Sequence, residues 1–170
     1  LFVMTKESGG IQLLGAGETS DAYHISAPIP DGSGAAAAML LAIERANVAA
    51  EQLDYVNLHG TGTIKNDAME AIAMSEVCGS NVVCSSTKHL TGHTLGAAGA
   101  LELGLCWLLL SDENTDKRVP ANCQQGSRDE TMPAIKLAQG EALPKMKYCL
   151  SNSFAFGGNN FSAVIGKVDE

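Results

Sequence analysis

Ser85-Ser86-Thr87-Lys88-His89-Leu90-Thr91-Gly92-His93-Thr94-Leu95-Gly96-Ala97-Ala98-Gly99-Ala100 is the stretch from which the rest of the chain is read. It places a lysine and a histidine five residues apart in a loop of small residues. Small residues let backbone and ligand approach closely, and a loop held between buried elements aims its side chains with little play. Upstream, Val82-Val83-Cys84-Ser85-Ser86 reads as a short strand. Downstream, the apolar run over 95–110 reads as a buried helix whose one charge is Glu102. An unpaired ammonium or carboxylate between apolar elements is costly, so both Lys88 and Glu102 need partners.

Outward from this loop, strands and helices alternate. Apolar runs at 1–4 and 11–14 flank Ser8-Gly9-Gly10 and predict a β-hairpin, followed by a polar loop over 15–30. Pro30-Asp31-Gly32-Ser33-Gly34 opens an alanine-rich helix to about Asn47, with Asp31 or Ser33 as its cap and Met39, Leu40, Ile43 and Ala46 as its apolar face. A strand over 53–59 ends in His59-Gly60-Thr61-Gly62-Thr63, and a helix follows from about Asp67 to Cys78, where Asp67 and Glu70 have capping-box spacing. Residues 111–145 hold three of the five prolines and read as a long connection with at most one short strand. Two last strands, 147–152 and 160–166, are joined by Ser153-Phe154-Ala155-Phe156-Gly157-Gly158-Asn159. The pattern predicts an α/β fold, a mixed five-stranded sheet with helices on its faces, formed by the whole of 1–170.

Composition narrows the function. The 170 residues are 45 % hydrophobic and 18 % charged, which suits a globular chain with a real core. A net charge of −8 argues against nucleic acid, because neutralising phosphates needs clustered Lys and Arg. The run over 95–110 is too short, and carries a charge, for a bilayer span, so no membrane partner is expected. Five cysteines without CxxC spacing suit buried thiols in a reducing compartment, and a cytoplasmic location is expected. Because residue 1 is Leu and a strand opens there, the chain is expected to be part of a longer one.

Three features resist explanation by packing alone. His59 ends a strand and is followed by glycines that keep space open; Lys88 and His93 share a loop between apolar elements; Phe154–Asn160 is a glycine-rich turn with two phenylalanines. Each has a plainer explanation taken singly: a satisfied hydrogen-bonding histidine, a snorkelling surface lysine, an ordinary hairpin. Zinc is disfavoured, since structural sites take ligands in closely spaced pairs and no such pairs occur.

Taken in order, Asn57-Leu58-His59-Gly60-Thr61-Gly62-Thr63, Asp67 with Glu70, Ser85-Ser86-Thr87-Lys88 with Gly92-His93, Gly96-Ala97-Ala98-Gly99-Ala100 and Ser151-Asn152-Ser153-Phe154-Ala155-Phe156-Gly157-Gly158 are a specific set. The sequence resembles the C-terminal half of the β-ketoacyl-acyl-carrier-protein synthases, decarboxylating condensing enzymes of the thiolase fold. The resemblance covers essentially all 170 residues and departs from the commonest pattern at Ala155 and Asn159, where glycine and threonine are usual.

The resemblance implies a Claisen condensation of a cysteine-bound acyl chain with malonyl carrier protein, in fatty acid, polyketide or polyene synthesis. It implies that His59 and His93 are the two catalytic histidines, whose N–H groups stabilise the enolate left by decarboxylation. Lys88 would be held by Glu70, with Asp67 a second carboxylate of that network and Thr61 and Thr63 in support; the capping box is the alternative for both acids. Phe156, with Phe154, Gly157 and Gly158, would form the gate. No catalytic cofactor is implied, but Asn57, Glu102, Ser151 and Asn152 would surround a structural Na+ or K+. Partners would be the acyl carrier protein and a second synthase subunit, as homodimer or ketosynthase heterodimer. The nucleophilic cysteine would lie in an N-terminal half that this chain does not contain, leaving the chain inactive by itself. A non-catalytic chain-length subunit is the competing function, and a thiolase or chalcone-type synthase a third, weighed against by the 88–93 loop.

Overall fold

Tyr55-Val56, Val83-Cys84, Cys149-Leu150 and Val164-Ile165 are adjacent pairs that send one side chain to each face of a sheet, as the two-residue period of a strand requires. The computed structural model, which describes residues 3–6, 9–123 and 129–168, sorts them accordingly into two apolar cores. Val56, Cys84, Leu150 and Val164 meet helices α1 (Ser33–Ala46) and α2 (Ile64–Cys78) on one face. Tyr55, Val83, Cys149 and Ile165 meet Cys106 and Leu110 of helix α4 (Ala98–Leu110) on the other.

Among the described residues six strands build the sheet: β1 (Gly10–Ser20), β2 (Tyr55–Asn57), β3 (Val83–Ser85), β4 (Lys136–Leu137), β5 (Tyr148–Ala155) and β6 (Asn159–Val168). Their order is β1-β6-β5-β2-β3-β4. β2 is parallel to β3 and β5, while β6 runs antiparallel to β5 and β1. Asn57 is therefore level with both Ser85 and Ser151. That parallel register brings the loops after β2 and β3 to one end of the sheet, where residues 59–63 and 86–93 converge. Helix α3 (Lys88–Thr91) is a single turn inside the second of these loops.

The expected five strands are thus six. The expected hairpin at 1–14 is absent from the described residues: Val3 and Met4 are exposed, and Leu1, Phe2 and Ser8 lie outside those described. The expected loop from residue 15 is instead strand through Ser20, paired with β6. Gly15 and Gly17 caused the misreading. A Cβ on either would collide with α1 backbone, at Ala42 and Ala38 respectively, so these glycines serve close helix–strand approach rather than a turn.

Two helix starts also differ. α1 begins after Gly32 at φ 72°, and Asp31 takes the Ser33 N–H and hydroxyl instead of capping the helix. Its buried face is Ala35, Ala38, Met39, Ala42 and Ile43, while Leu40 is exposed. α2 begins at Ile64, which puts Asp67 in the first turn and Glu70 in the second, so no capping box forms. The run over 95–110 divides into a 3-10 turn at Leu95–Ala97 and α4. That helix is not buried all round: Leu101, Trp107 and Leu108 are exposed in this chain.

Candidate functional site

His59 lies two residues beyond β2 and is buried, whereas His93 is exposed at the end of the 86–93 loop. Their ring centroids are 5.5 Å apart at 82°, an edge-on contact between two residues 34 positions apart in sequence. Phe154, at the end of β5, closes the other side of His59 with centroids 5.9 Å apart. The Nδ1 atom of His59 is buried without a hydrogen-bond partner, so a bond from this ring to a ligand falls to Nε2. Burial, reinforced by the positive charge of Lys88 and by His93, pulls the His59 pKa from 6.5 to about 3. The ring is therefore neutral at physiological pH and can present an N–H without repelling a cation nearby.

Lys88 is buried and pairs with Glu102, not with Glu70. The expected Lys88–Glu70 pair is corrected by placement: Glu102 reaches Lys88 from α4, and the Glu70 carboxylate is already engaged elsewhere. Glu70 Oε1 accepts the His59 N–H at 2.7 Å, and Oε2 accepts the Gly60 N–H at 2.7 Å. Asn152 Nδ2 at 3.3 Å and Asn66 Nδ2 at 3.5 Å complete its shell. Full burial raises the Glu70 pKa from 4.5 to about 7, against the lowering effect of those bonds and of the Lys88 charge. Burial also raises the pKa of Glu102, opposed by its bond to Lys88.

A cavity of about 710 Å3 opens beside this cluster, lined by Thr61, Glu70, Lys88, His89, His93 and Asn122 among others. Asp67 reaches its wall too, and its Oδ1 accepts from Asn66 Nδ2 at 3.2 Å. Thr61 and Thr63 share a hydrogen bond of 2.9 Å at the surface. His59 does not itself reach the cavity wall, which His93 lines.

The glycine-rich turn lies at the junction of β5 and β6. Phe154 belongs to the strand and is buried, whereas Phe156 is 74 % exposed, so the two phenylalanines are not equivalent. Gly157 and Gly158 take φ 83° and 80°, which favours glycine at both. The turn is tied to the 21–29 segment: Gly157 N–H donates to the Ile25 carbonyl at 2.8 Å and Asp21 N–H to the Gly158 carbonyl at 2.8 Å. The Asp21 carboxylate accepts from Asn160 Nδ2 at 2.6 Å and from the Ile29 N–H at 2.9 Å.

The four residues expected around a cation divide between the faces. Asn57 and Ser151 lie on the face that α4 covers, as does Glu102. Asn57 Oδ1 and Glu102 Oε2 are buried oxygens without a hydrogen-bond partner, which is what a cation's oxygen ligands would be before it binds. Asn152 does not fit as a side-chain ligand. It points to the opposite face, where Nδ2 meets Met39 Sδ and Glu70 while Oδ1 accepts from Ser162. Among the described residues no group of three or more His, Cys, Asp or Glu is placed to hold a metal, and no helix is long and apolar enough to cross a membrane.

Several residues of this cluster had no expectation attached. Ser86 and Asn122 tie its loops together, His89 lines the cavity, and Asp21 braces the turn. For Ser86 the signal lay in the Ser85-Ser86-Thr87-Lys88 run itself; for Asn122, inside a long connection, there was none.

The mixed sheet thus carries two histidines and a lysine to the ends of its parallel strands. The model of the β-ketoacyl synthase C-terminal domain matches residues 11–122, and the chain belongs to that family. It is 38 % identical to a 3-oxoacyl-[acyl-carrier-protein] synthase 2 of Vibrio harveyi over 94 % of this chain, and spans only 38 % of that relative's length. Among solved structures, a ketosynthase (ApeO) in complex with its chain length factor (ApeC) from Xenorhabdus doucetiae matches at 48 % identity and TM-score 0.90. That match covers 96 % of this chain and 41 % of the other. A β-ketoacyl synthase from Burkholderia phymatum STM815 matches at 34 % identity and TM-score 0.84, over 94 % of this chain and 38 % of the other.

Proposed function

We propose that this chain is the C-terminal half of a 3-oxoacyl-acyl-carrier-protein synthase that condenses a cysteine-bound acyl group with malonyl carrier protein, releasing CO2. The observation that carries the reading is the edge-on pair of His59 and His93, with His93 and Lys88 at the wall of a cavity. Loss of the malonyl carboxyl leaves an enolate whose charge gathers on the thioester oxygen. Two imidazole N–H donors, fixed before the reaction, stabilise that charge without reorganising as it forms. The low pKa of His59 keeps its ring neutral. Lys88, held by Glu102, keeps a positive charge near His59 that disfavours its protonation. Phe156 and the glycines beside it are the segment that admits the extender unit. The attacking thiolate is assigned to a cysteine outside this chain: Cys78, Cys84, Cys106 and Cys149 are buried, burial raises the pKa of Cys78, Cys84 and Cys149, and Cys123, exposed at the cavity wall, stands in none of the motifs that carry the resemblance.

The intact enzyme works in the cytoplasm, takes its substrates as carrier-protein thioesters, and pairs with a second subunit, identical or a chain-length factor. A monovalent cation bound by Asn57, Glu102 and Ser151 would neutralise the unpaired Glu102 oxygen. A second reading, a non-catalytic chain-length subunit, is favoured by the complex in which the Xenorhabdus relative was solved. Joint retention of His59, Lys88 and His93 favours the enzyme. Decarboxylation of malonyl carrier protein by the intact protein decides: His59→Ala and His93→Ala should each abolish it, and an intact protein without that activity is the chain-length subunit.

A further inference from the structure

Every polar group of Ser86 is engaged, and its partners belong to three different loops. Its hydroxyl donates to the Gly60 carbonyl at 2.6 Å and accepts the Lys88 N–H at 3.3 Å. Its N–H donates to Asn122 Oδ1 at 3.0 Å. Its carbonyl lies 3.1 Å from His89 Nδ1, and since a carbonyl only accepts, that nitrogen carries the proton. The Gly60 backbone is thus held at both of its polar groups, its N–H by Glu70 and its C=O by Ser86. The approach is close: a Cβ on Gly60 would come within 2.5 Å of the Ser86 Cβ and 2.8 Å of its Oγ, and Gly60 has a φ of +40°.

We propose that Ser86 is a positioning residue that fixes the spacing between the loop carrying His59 and the loop carrying Lys88 and His93. Gly60 is the residue after His59, and Lys88 lies two residues beyond Ser86, so one hydroxyl joins the two loops across the sheet end. No other side-chain hydrogen bond among the described residues links 59–63 to 86–93. The two imidazoles come from separate strands, and their 5.5 Å separation depends on how those strand ends are joined. Misplacing one donor by a fraction of an ångström weakens transition-state stabilisation while leaving carrier-protein docking alone.

The inference rests on the decarboxylase reading above, and the experiment separates the two. Malonyl-carrier-protein decarboxylation is measured for the intact protein and for Ser86→Ala and Ser86→Cys, together with the ring 15N shifts of His59 and His93. Ser86→Ala should lower kcat by about tenfold or more with KM within about twofold, and should move both imidazole signals although Ser86 touches neither ring. Ser86→Cys, close in shape but a weaker hydrogen-bonding group, should fall between the two, and it carries the test if the alanine variant does not fold. A parent protein without decarboxylase activity overturns the functional reading. An active parent whose serine variants keep its kcat, or lose only KM, overturns the positioning role.

Discussion

Replacing Glu70 by Gln should make the intact protein more tolerant of alkaline pH and yet slower. The Glu70 carboxylate is fully buried and accepts four N–H groups, two of them backbone donors at 2.7 Å. Burial raises its pKa from 4.5 to about 7 in the folded state. Between those values the folded chain holds a proton that the unfolded chain has lost. The stabilisation is therefore complete below pH 4.5 and disappears as pH rises through about 7. A shift of about 2.5 units at about 1.4 kcal/mol each sets the size of the full loss at about 3.5 kcal/mol, most of it falling above pH 5. Glutamine does not titrate, so the variant should lack this decline. It keeps one acceptor oxygen and turns an NH2 toward a backbone N–H, an orphaned donor that costs about 1–3 kcal/mol at every pH. Urea unfolding of parent and Glu70→Gln from pH 5 to 8 should show the stability difference moving by about 3 kcal/mol in favour of the variant as pH rises. Its decarboxylation kcat should be below that of the parent throughout, because the His59-Gly60 backbone has lost one of its two anchors. Parallel stability profiles, or an undiminished kcat, would refute the reasoning.

Breaking the buried pair by Lys88→Ala should cost about 3–5 kcal/mol of unfolding free energy, because it strands the Glu102 carboxylate; Lys88→Met with Glu102→Gln should recover most of that stability in urea denaturation without recovering decarboxylation. The His59 ring, with its pKa near 3, should show flat 15N shifts from pH 5 to 8; a titration inside that range would remove the basis for a permanently neutral donor. Gly158→Ala must place a Cβ 3.0 Å from the Asp21 Cβ at a φ of +80°, so it should loosen the turn carrying Phe156 and slow condensation more than acyl transfer in single-turnover assays. Asp21→Asn should have the same direction and a smaller size, since it weakens one charged hydrogen bond to Asn160 and leaves the turn's backbone bonds in place.

The sheet was legible where physics acts locally. Val83-Cys84 and Cys149-Leu150 are short apolar runs bounded by polar residues, and they form the strands expected of them. It was not legible where a residue answers to a distant neighbour: Gly15 and Gly17 look like loop residues until the α1 backbone is placed against them. The same holds at the site. His59, Lys88 and His93 stood out as hard to explain by packing, the resemblance implied their roles, and the fold brings them together. The partner of Lys88 was not, because Glu70 and Glu102 are both buried acids and only the sheet face distinguishes them. Asn152 shows the reverse error: it stands next to Ser151 in sequence, and for that reason it points the opposite way.

Helix α4 leaves one further mark. The single tryptophan of the chain, Trp107, sits on it and is 44 % exposed, on the face where Leu101 and Leu108 also meet solvent. An indole half in water emits at longer wavelength than one enclosed by protein, and no second tryptophan in this chain overlays its signal. The helix therefore carries its own optical reporter: whatever covers that face will move the emission toward the blue, and a titration can follow the event without a label.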